Sequence, residues 1–150
     1  MVICNLRLGV GKDADNLYIT CKVKDGELYS GGQGTQKGSG VFIYLDTKNE
    51  CLKEPAEGVY KVWCSYKGDI TVWQGNKGKW ENSELEGLQI TPSVVSGGYE
   101  LAFTIPLNRS FNKDAMRLCA TLSTKTYTET LVHSNADRSC TWMKMNLGGH

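Results

Sequence analysis

The sequence predicts an all-β chain, a two-sheet antiparallel β-sandwich of jelly-roll-like character with about ten strands. Three observations carry that prediction. Apolar residues alternate with period two through nearly the whole length, no segment sustains a helical period, and glycine-rich or polar turns break the alternation at short intervals. Two sheets are needed because a single sheet with one apolar face has nothing to bury it against. At 150 residues the chain is most simply one domain, spanning 1–150 with no internal repeat or linker.

The elements follow in order. Cys4, Leu6, Leu8 and Val10 share one face, with Asn5 and Arg7 on the other. Gly11-Lys12-Asp13-Ala14-Asp15 turns the chain, and Leu17, Ile19, Cys21 and Val23 then repeat the pattern against Tyr18, Thr20, Lys22 and Lys24. A hairpin centred on that turn sets Cys4 nearly opposite Cys21 on the core face, as a disulfide or a core thiol pair. Residues 26–40 hold six glycines and little apolar material, the composition of a mobile loop. Val41-Phe42-Ile43-Tyr44-Leu45 reads as a strand apolar on both faces, closed by Asp46-Thr47-Lys48-Asn49. Tyr60 to Tyr66 and Ile70 to Gln74 form a hairpin around Lys67-Gly68-Asp69. Further strands are expected at 86–95, 99–105, 116–124, 127–133 and 139–147, with a helical turn between Asn108 and Ala115.

Composition excludes several classes of function. Lys plus Arg number 17 against 16 Asp plus Glu, a net charge of +1, so net charge drives binding neither to nucleic acid nor to a membrane surface. No apolar run approaches the roughly 20 residues of a membrane-spanning helix. The start, Met1-Val2-Ile3-Cys4-Asn5-Leu6-Arg7, shows no signal-peptide pattern and opens straight into a strand, as a domain within a larger protein would. The six cysteines contain no C-x-x-C and no zinc spacing, so they read mainly as small core residues. A nucleophile elbow is absent, and His133 and His150 stand alone. Gly31-Gly32-Gln33-Gly34 opens no helix and so cradles no phosphate. Glu54 and Glu57, or Glu81, Glu84 and Glu86, read as solvated charges rather than an acid/base pair. The chain is therefore expected to be no enzyme, with no catalytic residue, metal or cofactor.

What remains is aromatic. Trp63, Trp73 and Trp80 fall within 18 residues, with Tyr60 and Tyr66 interleaved. Lys61 shares a strand face with Trp63 and marks that face as the wetter one, so Trp63 reads as an exposed platform. Such a ring suits the C–H face of a pyranose, while nearby polar groups bond its hydroxyls.

Two segments carry a family resemblance. Asn16-Leu17-Tyr18-Ile19-Thr20-Cys21-Lys22-Val23-Lys24-Asp25 with Val41-Phe42-Ile43-Tyr44-Leu45-Asp46, and Gly97-Gly98-Tyr99-Glu100-Leu101-Ala102-Phe103-Thr104-Ile105-Pro106-Leu107, resemble the strands of carbohydrate-binding module family 9 and of the wider DOMON-like sandwich domains. The resemblance covers about 5 to 147 and implies the sandwich fold. Residues depart from it at the sugar site: the family's glutamate falls on Phe42, its arginine on Lys61, and its late tryptophan has a loose counterpart in Trp142. The family's opening strand is absent, as is the tryptophan before the Val41 strand, where Gln36-Lys37-Gly38-Ser39-Gly40 stands.

Residues and resemblance together lead to one expectation. The domain is a non-catalytic polysaccharide- or oligosaccharide-binding module of an extracellular or cell-surface protein. Phe42, Tyr44, Lys61, Trp63, Trp73, Trp80 and Thr121 line its sugar face. The alternative is a protein-interaction domain whose Phe42/Tyr44/Trp63 surface closes a homodimer. A weaker one is a haem-binding DOMON-like domain using Met143, Met145 and His133. The sequon Asn108-Arg109-Ser110 fits a secreted setting.

Overall fold

The computed structural model describes residues 5–31, 38–124 and 137–147, and the backbone of 128–130. Its strands, in chain order, are β1 (Asn5–Lys12), β2 (Asn16–Lys24), β3 (Gly40–Asp46), β4 (Val59–Ser65), β5 (Ile70–Asn76) and β6 (Lys79–Asn82). β7 (Gln89–Val95), β8 (Gly98–Pro106), β9 (Ala115–Ser123), β10 (Thr128–Thr130) and β11 (Met143–Asn146) complete them. The strands pair antiparallel in two sheets. One has the order β1-β2-β8-β7; the other runs β10-β9-β3-β4-β5-β6, with β11 also paired to β9. The all-β sandwich is as the alternation predicts.

The core lies between the sheets. From the first come Leu17, Ile19, Cys21 and Val23 of β2 with Tyr99, Leu101, Phe103 and Ile105 of β8. From the second come Val41, Ile43 and Leu45 of β3, Val62 and Cys64 of β4, and Met116, Leu118, Ala120 and Leu122 of β9. Alternation places these on inner faces because successive strand side chains point to opposite sides.

Four sequence expectations change. The first hairpin closes two residues nearer the C-terminus than its composition suggests, with Lys12 opposite Leu17 and Leu8, not Cys4, opposite Cys21. The cause is local. Asp13 Oδ1 accepts from the backbone N–H groups of Asp15 and Asn16 at 2.8 Å each, an Asx turn that sets the bend at 13–16. Cys4 itself lies outside the described residues, and Cys21 is a free thiol. No helical turn forms between Asn108 and Ala115; Asn108 and Asn112 cap backbone N–H groups there and the chain stays irregular. The expected strand at 139–147 is a 3-10 turn, Ser139–Thr141, followed by the shorter β11. Within the expected 86–95 strand only β7 forms, and β6 is an added element. Of the glycine-rich loop, 32–37 lie outside the described residues, and its flanks close through a Ser30–Gly38 bridge and a bond from Ser39 Oγ to Asp25 (3.1 Å). His133 and His150 also lie outside them, while Met145 is buried and Met143 exposed.

Burial pushes the Cys21 thiol up to about 12, with Cys64 adding to it, and burial likewise pushes Cys64 up to about 12. Both therefore stay protonated at any ordinary pH, and the thiolate is the reactive form. Iodoacetamide at mildly alkaline pH is expected to label the exposed Cys51 in the native protein and to spare Cys21 and Cys64 until denaturant is added. Peptide mapping checks this; native labelling of Cys21 would mean the two sheets open readily.

Candidate functional site: an aromatic face with a central lysine

The seven-stranded sheet has a second, outward face, and the strand register lays its residues out in rows. One row runs Thr121–Phe42–Trp63–Thr71 across β9, β3, β4 and β5. The next runs Cys119–Tyr44–Lys61–Trp73–Asn82 and reaches β6. A third holds Asp46 opposite Val59, and on its far side Gly75 opposite Trp80. All seven residues nominated from the sequence thus share one face.

Their exposure differs. Phe42, Lys61, Trp73 and Trp80 are half-buried, whereas Tyr44, Trp63 and Thr121 are 5%, 3% and 4% exposed. Trp63 is therefore no exposed platform. Its ring occupies the space over Gly40, where a side chain would collide with it, and packs on Phe42 with centroids 4.8 Å apart. From the sequence Lys61 marks a wet face, but the aromatic side chains beside it cover much of that face.

The rings form one connected cluster. Phe42 lies 6.2 Å from Tyr44 and 6.4 Å from Trp73; Tyr44 lies 6.0 Å from Trp80 and 5.7 Å from Trp142. These are separations at which tilted aromatic pairs attract. Lys61 stands at the centre. Its Nζ is 4.8 Å from the Trp73 centroid, 5.1 Å from Phe42, 5.8 Å from Tyr44 and 5.9 Å from Trp80, all within cation–π range. Burial lowers the lysine's pKa, and the negative charge of Asp137 partly offsets this. Burial also pushes the Tyr44 hydroxyl up to about 12, opposed by the neighbouring Thr121 hydroxyl. The Thr121 hydroxyl is buried beside it without reaching good hydrogen-bond geometry to any group among the described residues.

Two site residues were not nominated from the sequence. Trp142, noted only as a loose counterpart of a family tryptophan, is buried against Tyr44, Val59 and Cys119. Asp137 accepts from Trp80 Nε1 at 2.9 Å and so orients that ring. Both belong to the segment 137–142, which is tied to the loop after β3. Leu52 N–H donates to Ser139 Oγ (2.6 Å), and Cys140 N–H donates to the Leu52 carbonyl (2.9 Å). Arg117 adds a bond to the Trp142 carbonyl at 3.4 Å. Asp46 holds the other end of that loop by accepting from the Glu50 and Cys51 N–H groups.

Such a face offers half-exposed rings for stacking and an ammonium for hydrogen bonding. Among the described residues no group of His, Cys, Asp or Glu is arranged to hold a metal ion. Glu54, Glu57, Glu81, Glu84 and Glu86 are all exposed.

No family model matches the chain, and no curated protein does. Solved structures match in fold. A carbohydrate-binding module of family 9 from Caldicellulosiruptor kristjanssonii, in complex with cellotriose, superimposes with a TM-score of 0.80 at 14% identity, over 98% of this chain and 76% of that one. A family 9 module from the same organism in complex with glucose gives a TM-score of 0.79 at 14% identity, over 98% and 78%. At that identity the likeness is one of backbone architecture, and the strand motifs around Asn16–Asp25 and Gly97–Leu107 point the same way. The chain has the fold of a family 9 carbohydrate-binding module.

Proposed function

We propose that the domain is a non-catalytic carbohydrate-binding module, holding an oligosaccharide or polysaccharide for a larger extracellular or cell-surface protein. The observation that carries this is the half-exposed cluster of Phe42, Trp73 and Trp80 around Lys61, on the outward face of a sandwich whose fold neighbours are described in complex with cellotriose and glucose. A pyranose lays its C–H face on an aromatic ring, burying apolar area, while the lysine N–H groups donate to its hydroxyls. Tyr44, Trp63 and Thr121 support that face from beneath.

Calorimetric titration with glucose and cellotriose tests it. Trp73→Ala and Trp80→Ala are each expected to weaken binding about thirtyfold, the effect of losing a ~2 kcal/mol aromatic anchor. Absence of binding to both sugars and to a glycan array, or unchanged affinity in both variants, overturns the reading. Of the Phe42/Tyr44/Trp63 surface named for the dimer alternative, Phe42 is half-buried and Tyr44 and Trp63 are buried within the chain.

A further inference from the structure

We infer that the sugar favoured by this face is acidic, a pyranose carrying a carboxylate that pairs with Lys61. The inference rests on the carbohydrate reading above and narrows it. Lys61 lies mid-row between Tyr44 and Trp73, half-buried, with four rings within 6 Å of its ammonium. Rings attract a cation but offer no lone pair for its three N–H bonds. Among the described residues, no acceptor lies within hydrogen-bond reach of the ammonium and no carboxylate within ion-pair reach. Asp137 acts on it only from further off, with Oδ1 bonded to Trp80. The site thus holds a half-buried, partly dehydrated positive charge with no contacting counter-ion among the described residues. A neutral hydroxyl would accept a bond from it yet leave the charge unmatched. A carboxylate does both, and a charge-assisted bond is roughly twice as strong as a neutral one. Because the carboxylate of a hexuronate stands at the ring edge, the sugar's C–H face remains free to stack.

Titration of the intact chain with glucuronate and with glucose, at low and raised salt, tests this. Glucuronate is expected to bind about tenfold tighter than glucose, with the advantage shrinking as salt is added. Lys61→Met should abolish that preference and Lys61→Arg retain most of it, both with unchanged circular dichroism. Asp137→Asn keeps an acceptor for Trp80 while removing the competing charge, so it should raise the glucuronate-to-glucose ratio. Glucose binding as tightly as glucuronate, or a preference that survives Lys61→Met, overturns the inference and leaves the carbohydrate reading standing. If neither sugar binds, nor any glycan on an array, the carbohydrate reading itself falls.

Discussion

Phe103→Ala is expected to lower the free energy of unfolding by about 4 kcal/mol. Phe103 is 1% exposed and sits on β8, where Ile19 of β2 pairs with it on one side and Ile90 of β7 on the other. Removing the ring forfeits its transfer free energy and leaves a cavity. Paired strands on both flanks hold the backbone at sheet spacing, so the walls cannot close in to fill it. A domain of this size has roughly 5–15 kcal/mol in total, so a large part of the margin goes. The melting temperature should fall by roughly 10 °C or more. Urea unfolding checks the figure as a lower midpoint with an unchanged slope; a loss under about 1 kcal/mol would mean the core repacks far more freely than close packing allows. Phe103 belongs to the four-stranded sheet, away from the aromatic face. Sugar affinity measured where the variant is still folded should therefore match that of the parent.

Period-two alternation made this core readable in advance. Leu17, Ile19, Cys21 and Val23, with Tyr99, Leu101, Phe103 and Ile105, are inward-facing because a strand leaves them no other arrangement once one face is buried. Register was harder, since it depends on where the turn bends. The Gly11 to Asp15 run offers several bends of similar composition, and the Asp13 side chain chooses among them by hydrogen bonding. That choice moved Leu8, rather than Cys4, opposite Cys21. The Gly97-Gly98-Tyr99 motif is explained by contact. The Val23 carbonyl stands where a side chain on Gly98 would be, so the β2–β8 pair can close only on glycine.

The aromatic face was legible to the extent that strand geometry creates it. Val41 to Leu45 is apolar on both sides, which means two apolar environments, and the second is the cluster of Tyr44, Val59, Cys119 and Trp142. Tyr44 and Lys61 meet because antiparallel register places them opposite each other. Asp137 and Trp142 could not be placed the same way. They arrive through an irregular segment whose position is set by bonds from the Leu52 N–H to the Ser139 hydroxyl and from the Cys140 N–H to the Leu52 carbonyl, with no period to betray it. Lys61 departs from the ordinary pattern for a related reason. A lysine on a strand ordinarily marks solvent, but its long stem lets the ammonium sit above neighbouring rings while they cover the surface around it.

Gly40→Ala separates support of the site from stability of the core. Gly40 is buried at the start of β3, paired to Ser65 on one side and Ser123 on the other, so neither its strand nor its neighbours move easily. A methyl group there would meet the end of the Trp63 ring and stand 2.6 Å from the Cys64 carbonyl oxygen. The clash with backbone cannot be relieved by a rotamer change, and an expected cost of about 3 kcal/mol follows from overpacking. Unlike Phe103→Ala, this loss should carry into binding. Trp63 is pressed against Phe42, and Phe42 is one of the rings under the Lys61 ammonium, so displacing the first ring shifts the others. Near-ultraviolet circular dichroism should change, and sugar affinity should fall several-fold, roughly 1 kcal/mol. If Gly40→Ala destabilises the chain but leaves affinity and the aromatic signal intact, Trp63 is core packing alone. A fall in affinity, set beside the unaltered binding of Phe103→Ala, identifies it as the buried support on which the sugar-facing rings are set.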